Sequence, residues 1–219
     1  AMGAAGLHSG NIDSAMSHFK SVNPDNQFYE KSMFYLGVLA TRKKDYKEAS
    51  FYFGKVLDLT RGKREHFPLQ ELARLNMARS VYSGGDIEKS IEFYSQFLSS
   101  SPHWLTVLLE ASWPLMRASD TTVSLGNLHT ITSPYYREDL VGEGYILKAT
   151  ILHSLCKYEE MRRTLSHFFT LYDPVVRAMQ SEQSNLGSPD SYYHAYVTKK
   201  GLNRAFLNYL KRDIGITND

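Results

Sequence analysis

The chain has 219 residues, 42% of them hydrophobic, with 25 basic and 23 acidic side chains. That apolar fraction supports a continuous buried core and excludes wholesale disorder, and a formal net charge of +2 supplies no general pull toward nucleic acid or an anionic membrane. A single cysteine, Cys156, excludes an internal disulfide, and no apolar run approaches the roughly 20 residues a bilayer-spanning helix needs.

The chain starts Ala1-Met2-Gly3, which reads as a vector remnant, and no signal peptide follows. Residues 1–9 supply only the last turns of a helix. Ala1 to Leu7 lack the polar face of a terminal cap, so the expectation is a longer array that has been cut. A turn at Gly10-Asn11 then leads into a second helix carrying Ile12, Ala15, Phe19 and Val22.

The same slots return 34 residues later, where Gly37, Asp45-Tyr46, Ala49, Phe53 and Val56 stand in place of Gly3, Asn11-Ile12, Ala15, Phe19 and Val22. This second copy, Met33 to Val56, is the clearest. The third follows at an offset of 41 with Met77-Ala78, Gly85-Asp86-Ile87, Ser90, Tyr94 and Phe97, closed by Pro102. Seven extra residues separate it from the second, and they fall in the basic stretch Arg61 to Pro68. A divergent fourth copy is built on Leu108, Ala111-Ser112, Leu115, Ser124, Leu128 and Ile131, ending at Pro134, with Pro114 predicting a kink in its first helix. The fifth carries Tyr145, Ala149, Tyr158, Met161, Leu165 and Phe168.

Each slot has a physical reason. Gly37, Ala78 and Ala149 are small so that the two helices of a hairpin approach closely, and Ala15, Ala49 and Ser90 do the same from the second helix. The larger residue four positions on (Phe19, Phe53, Tyr94, Leu165) fills the gap toward the next copy. Prolines 102 and 134 cannot continue a helix and so separate copies.

Beyond the copies, Asp173 to Ser184 reads as a helix with Pro174 in its first turn, and Asn185 to Pro189 as a break. Ser188-Pro189-Asp190 then opens a long helix through Tyr192, Tyr193 and Tyr196 to Leu210, with Leu202, Phe206, Leu207 and Leu210 on one face. It reads as a cap on the last repeat, or as a docking helix for a partner or a second chain.

This pattern resembles the tetratricopeptide repeat family over residues 1–172, leaving 173–219 as a C-terminal helical extension. The resemblance implies an all-α fold, an α-solenoid of helix-turn-helix repeats with a C-terminal capping helix. Tyr145 to Ala149 followed by Cys156-Lys157-Tyr158 also looks like repeats of envelope-associated proteins in predatory and gliding bacteria, which points to periplasm or cell envelope rather than cytoplasm.

In this repeat class the first helix of each pair lines a concave groove. The register then places Phe34, Val38 and Thr41 on that wall, followed by Leu75, Arg79 and Tyr82, by Leu109, Trp113 and Met116, and by Ile146, Thr150 and His153. Family members that grip chaperone tails use Lys and Asn to clamp a carboxylate. Phe34 and Leu75 stand where Lys would be needed, so the groove suits an apolar peptide or helix instead. A tighter superhelix or the C-terminal helix filling the groove stays open as an alternative.

Chemistry-bearing motifs are few. Gly142-Glu143-Gly144 lacks the third glycine and the preceding strand of a phosphate loop. His153 and Cys156 share a helical face, with His167 as the only further ligand nearby, and Cys156 is read as a plug between two helices rather than a metal ligand. No cofactor is expected. The expected function is a non-enzymatic scaffold that binds a protein or peptide in its groove. Two other readings stay open: a non-catalytic helical domain of a larger enzyme or envelope complex, and contact with RNA through the basic residues of loop 61–66.

Overall fold

One turn, built four times, sets the architecture. The computed structural model describes residues 11–136, 141–186 and 188–198. Lys44, Gly85, Ser119 and Cys156 all have positive φ, at 61°, 94°, 64° and 58°. In each case the next residue donates its N–H to the carbonyl five positions earlier, as in Asp45 to Ala40 (2.9 Å), Asp86 to Val81 (3.1 Å), Asp120 to Leu115 (2.9 Å) and Lys157 to Leu152 (2.9 Å). This left-handed residue satisfies the last carbonyls of one helix and reverses the chain. Only Gly85 adopts it without a Cβ penalty.

The following residue starts the next helix. Asp45, Asp86 and Asp120 accept the N–H three residues on, at 2.9, 3.1 and 3.2 Å, and Asn11 does the same to Ser14 at 3.1 Å. Short polar side chains here satisfy an N–H that has no helical partner. The sequence pattern at 11, 45, 86 and 120 is therefore a capping pattern as much as a packing one.

Two units divide the chain, Ala1–Ser124 and Leu125–Asp219. In the first, α1 (Ile12–Lys20) precedes the hairpins α2 (Tyr29–Arg42) with α3 (Tyr46–Thr60) and α4 (Phe67–Ser83) with α5 (Ile87–Ser95), and α6 (Trp104–Arg117) follows. Each of these helices packs on its chain neighbour, and α2 also reaches α4. Helix α7 (Thr121–Ile131) begins in this unit and ends in the second, where α8 (Gly142–Ser154) pairs with α9 (Tyr158–Leu186) and α10 (Pro189–Thr198) follows. Every regular element among the described residues is helical, as the repeat pattern requires.

The small-residue slots are packing positions. Ala15, Ala49, Ala78 and Ser90 are fully buried, and so is Phe53. A Cβ on Gly37 would lie 2.6 Å from the Phe53 ring, so the glycine is what lets α2 and α3 close on each other. In the second unit a Cβ on Gly144 would meet Ile131 at 2.6 Å, and Ala149 is buried.

Two local expectations are corrected. Helix α9 runs unbroken from Tyr158 to Leu186 with Pro174 inside it, rather than restarting at Asp173. Pro174 is exposed, so water can serve the Thr170 carbonyl that loses its N–H donor. Helix α6 also holds a proline, Pro114, within a single helical span from Trp104 to Arg117. Cys156 does not plug a helix crossing, because it is the exposed left-handed turn residue between α8 and α9. Of the break expected at 185–189, Asn185 and Leu186 belong to α9 and Pro189 to α10, and the Ser188 hydroxyl accepts the Ser191 N–H at 3.2 Å as the cap of α10. The expectations for residues 1–9 and for Leu202, Phe206, Leu207 and Leu210 lie outside the described residues.

Candidate functional site

The first-helix face of the first unit is carried by α2, α4 and α6. On α2, Phe34 is half-buried with its ring 5.6 Å from that of Phe53, and Val38 is half-buried one turn on. The Thr41 hydroxyl donates to the Gly37 carbonyl at 3.0 Å and lies 3.4 Å from that of Ser80. On α6, Leu109, Trp113 and Met116 are half-buried. Helix α4 contributes Arg79 and Tyr82, both half-buried.

Leu75 departs from this pattern. It is 2% exposed, packed in a core with Ala78, Tyr94 and Val107. A partner lying on the face would not reach it, so Leu75 is a core residue and not a groove residue. His153 belongs to the second unit, exposed on α8 with its ring edge-on to Tyr158 at 5.8 Å.

Arg79, Tyr82 and Trp113 come together. With Ser83, Tyr94 and Glu110 they line a cavity of about 200 Å³ between α4 and α6, closed from behind by α5. Arg79 donates from Nε to Glu110 Oε2 at 2.8 Å and from Nη2 to Oε1 at 2.6 Å, a bidentate pair. The Tyr94 hydroxyl donates to the same Oε2 at 3.1 Å. The hydrogen bonds to Glu110 hold the Arg79 guanidinium above its ordinary ionisation range. Burial first, and then the Glu110 charge, push the Tyr94 phenol well above its own. The Arg117 guanidinium sits 5.4 Å from the centre of the Tyr82 ring, on the rim.

Sequence reasoning missed Glu110 and took Tyr94 as packing alone, without its hydrogen bond to Glu110. The register places Arg79 on the groove wall, and the structure joins it there to a carboxylate on the next first helix. A signal existed: Glu110 lies one turn before Trp113, and Trp113 is the repeat equivalent of Arg79.

Elsewhere, two cations of the basic insertion make ion pairs, while Arg64 is exposed. Arg61 pairs with Asp58 at 2.7 Å and Lys63 with Glu30 at 3.2 Å, around a 3₁₀ turn at Arg64–His66. The Gln70 amide donates to the Thr60 carbonyl and ties the insertion down. Among the described residues no three His, Cys, Asp or Glu side chains gather as a metal-binding group. No described helix is long and apolar enough to cross a membrane.

The repeated hairpin and this face define a tetratricopeptide-like helical-repeat fold, and solved structures share it. A kinesin-light-chain-like protein of Podosopora anserina, with nearly identical TPR-like repeats, superposes with a TM-score of 0.59 at 13% identity, over 77% of this chain and 90% of that one. A point variant of the same protein gives 0.61 at 13% identity, over 80% and 93%. A tetratricopeptide repeat protein from Parabacteroides merdae gives 0.53 at 15% identity, over 99% and 91%. No protein-family model matches the chain, and no curated protein matches it.

Proposed function

We propose that this protein acts by holding a segment of another protein, without chemistry of its own, on the first-helix face formed by α2, α4 and α6. The reading rests on one observation above all: Tyr82 and Trp113, half-buried and adjacent, flank the Arg79–Glu110 pair at the cavity between α4 and α6. Tyr, Trp and Arg give large contact area for little lost side-chain freedom and dominate binding hot spots. Phe34 and Val38 extend the apolar strip on α2, and Leu109 and Met116 extend it on α6. Because Arg79 is already matched by Glu110, its guanidinium is not free to clamp a carboxylate. That favours an apolar peptide or helix over an acidic chain end on this face.

The test uses the full chain as bait beside a variant with Val38→Asp, Tyr82→Ser and Met116→Asp. A partner held by the wild type and lost by the variant, with the thermal midpoint kept, is the expected result. A partner held equally by both places recognition elsewhere and overturns the reading.

A further inference from the structure

A second cleft lies on the opposite side of α4, between the second helices α3 and α5. Its floor is Met77, Val81 and Gly84 of α4, and its walls include Phe51 of α3 and Phe93 of α5. Its volume is about 510 Å³, the larger of the two cavities described in this unit, and the lining is mostly apolar. Phe51 stands on the rim with 56% of its surface exposed. Its ring extends the apolar surface of the trough outward.

The charges at the mouth state what kind of occupant. Lys47 from α3 and Lys89 from α5 both line the cleft, and Lys55 lies over the Phe51 ring at 4.8 Å. Among the described residues, none of the ion pairs involves Lys47 or Lys89. The one acid in the lining is Asp86, whose Oδ1 accepts the Lys89 backbone N–H as the cap of α5. Glu48, next to Lys47, turns instead to Lys20 at 3.3 Å. The trough is therefore apolar in its floor, with two lysines against one carboxylate at its mouth.

We propose that this cleft docks an acidic amphipathic segment of a partner protein, with apolar side chains against Met77, Val81 and Phe93 and carboxylates toward Lys47 and Lys89. Opposite charge at the rim sets orientation and speeds encounter, while the apolar floor supplies the holding energy. The cleft is open rather than enclosed. A small molecule there would stay partly wet, whereas a polypeptide laid between the two helices covers the mouth as it fills the floor. The surface is separate from the Tyr82 and Trp113 face, since Met77, Val81 and Gly84 lie on the other side of α4 from Arg79 and Tyr82.

The experiment is a display selection of random peptides of about 16 residues, comparable to the 15-residue α3, on the full chain. The library is first depleted on a Lys47→Glu/Lys89→Glu variant. The expected survivors carry Asp or Glu beside Leu, Phe or Trp, and bind less well as salt is raised. They lose about tenfold or more in affinity on the double variant and on Phe51→Ala, and keep it on Trp113→Ala. All three altered positions in the cleft are exposed, and unchanged thermal midpoints verify the fold. An empty selection, survivors without acidic residues, or equal affinity for wild type and Phe51→Ala overturns the proposal. The Trp113→Ala arm separates its failure from failure of the first-helix reading.

Discussion

Arg79 and Glu110 join two successive first helices through a bidentate pair, with Nε–Oε2 at 2.8 Å and Nη2–Oε1 at 2.6 Å. The side chains are 41% and 27% exposed, so water screens part of the attraction. Bidentate geometry and the Tyr94 hydroxyl on the same carboxylate work the other way, by fixing the fork. A double-mutant cycle of Arg79→Ala and Glu110→Ala is expected to return a coupling of about 1 kcal/mol in denaturant unfolding. A coupling within about 0.3 kcal/mol of zero would mean the pair does not hold α4 and α6 together in solution.

Tyr94 makes the alkaline limb of stability informative. Burial and the Glu110 charge raise its folded pKa, so the native state resists losing the phenolic proton. The unfolded chain releases that proton from about pH 10. Above that point the unfolded state binds fewer protons than the native one, so stability falls as pH rises. Below it the contribution is complete. Burial raises Tyr145 and Tyr52 in the same direction, so they add to the slope. Tyr94→Phe is expected to cost about 1 kcal/mol at neutral pH through the lost hydrogen bond and to flatten the loss of stability above about pH 10. An alkaline limb of unchanged steepness would show that Tyr94 is ionisable in the folded state.

The repeat was legible because both of its physical causes write to sequence. A helix crossing needs a small residue, which appears as Gly37, Ala49, Ala78 and Ala149, and a turn needs a cap, which appears as Asp45, Asp86 and Asp120. Positions that work by pairing were not legible. Glu110 is one acid among 23, and only the approach of α4 to α6 makes it Arg79's partner. Leu75 occupies the same slot as Phe34, yet Tyr94 of its own hairpin and Val107 of the next copy pack with it in one core. Cys156 was misread because its αL role belongs to a backbone position that glycine fills at residue 85 and lysine, serine and cysteine fill elsewhere. The cleft between α3 and α5 escaped notice because Lys47, Phe51 and Lys89 occupy second-helix positions, and the search for a groove followed first helices alone.

Two helical glycines are expected to respond oppositely to alanine. At Gly37 the added Cβ lands 2.6 Å from the fully buried Phe53 ring, so overpacking of about 1–3 kcal/mol outweighs the helix-propensity gain of about 1 kcal/mol. At Gly126, in α7, nothing lies within 4 Å of the added Cβ, and the same substitution is expected to stabilise by about 0.5–1 kcal/mol. Thermal midpoints measured side by side decide it. A rise for both would mean that α2 and α3 are less closely apposed than the Phe53 contact requires.

Trp113 carries the functional reading, and its test must separate packing from recognition. It follows Glu110 by one turn and precedes Pro114, whose own ring is buried. A tryptophan in that setting has two possible duties, to wall the Arg79 cavity or to receive a partner. Its half-buried state allows both, since part of the ring lines the cavity with Tyr82 and Tyr94 and part faces water. Truncating a purely structural Trp of this burial would cost stability, up to about 3 kcal/mol, and leave affinity per folded molecule alone. Truncating a recognition Trp would weaken the partner by about 2 kcal/mol or more while the fold melts nearly where it did. The measurement is therefore paired: partner affinity by titration and unfolding free energy by denaturant, for wild type and Trp113→Ala. The expected outcome is a loss of affinity of at least about 2 kcal/mol with a stability loss under about 1 kcal/mol, because the indole sits over a cavity rather than inside a packed core. A large stability loss with affinity unchanged would assign Trp113 to packing and move the search for the partner surface to the cleft lined by Lys47 and Lys89.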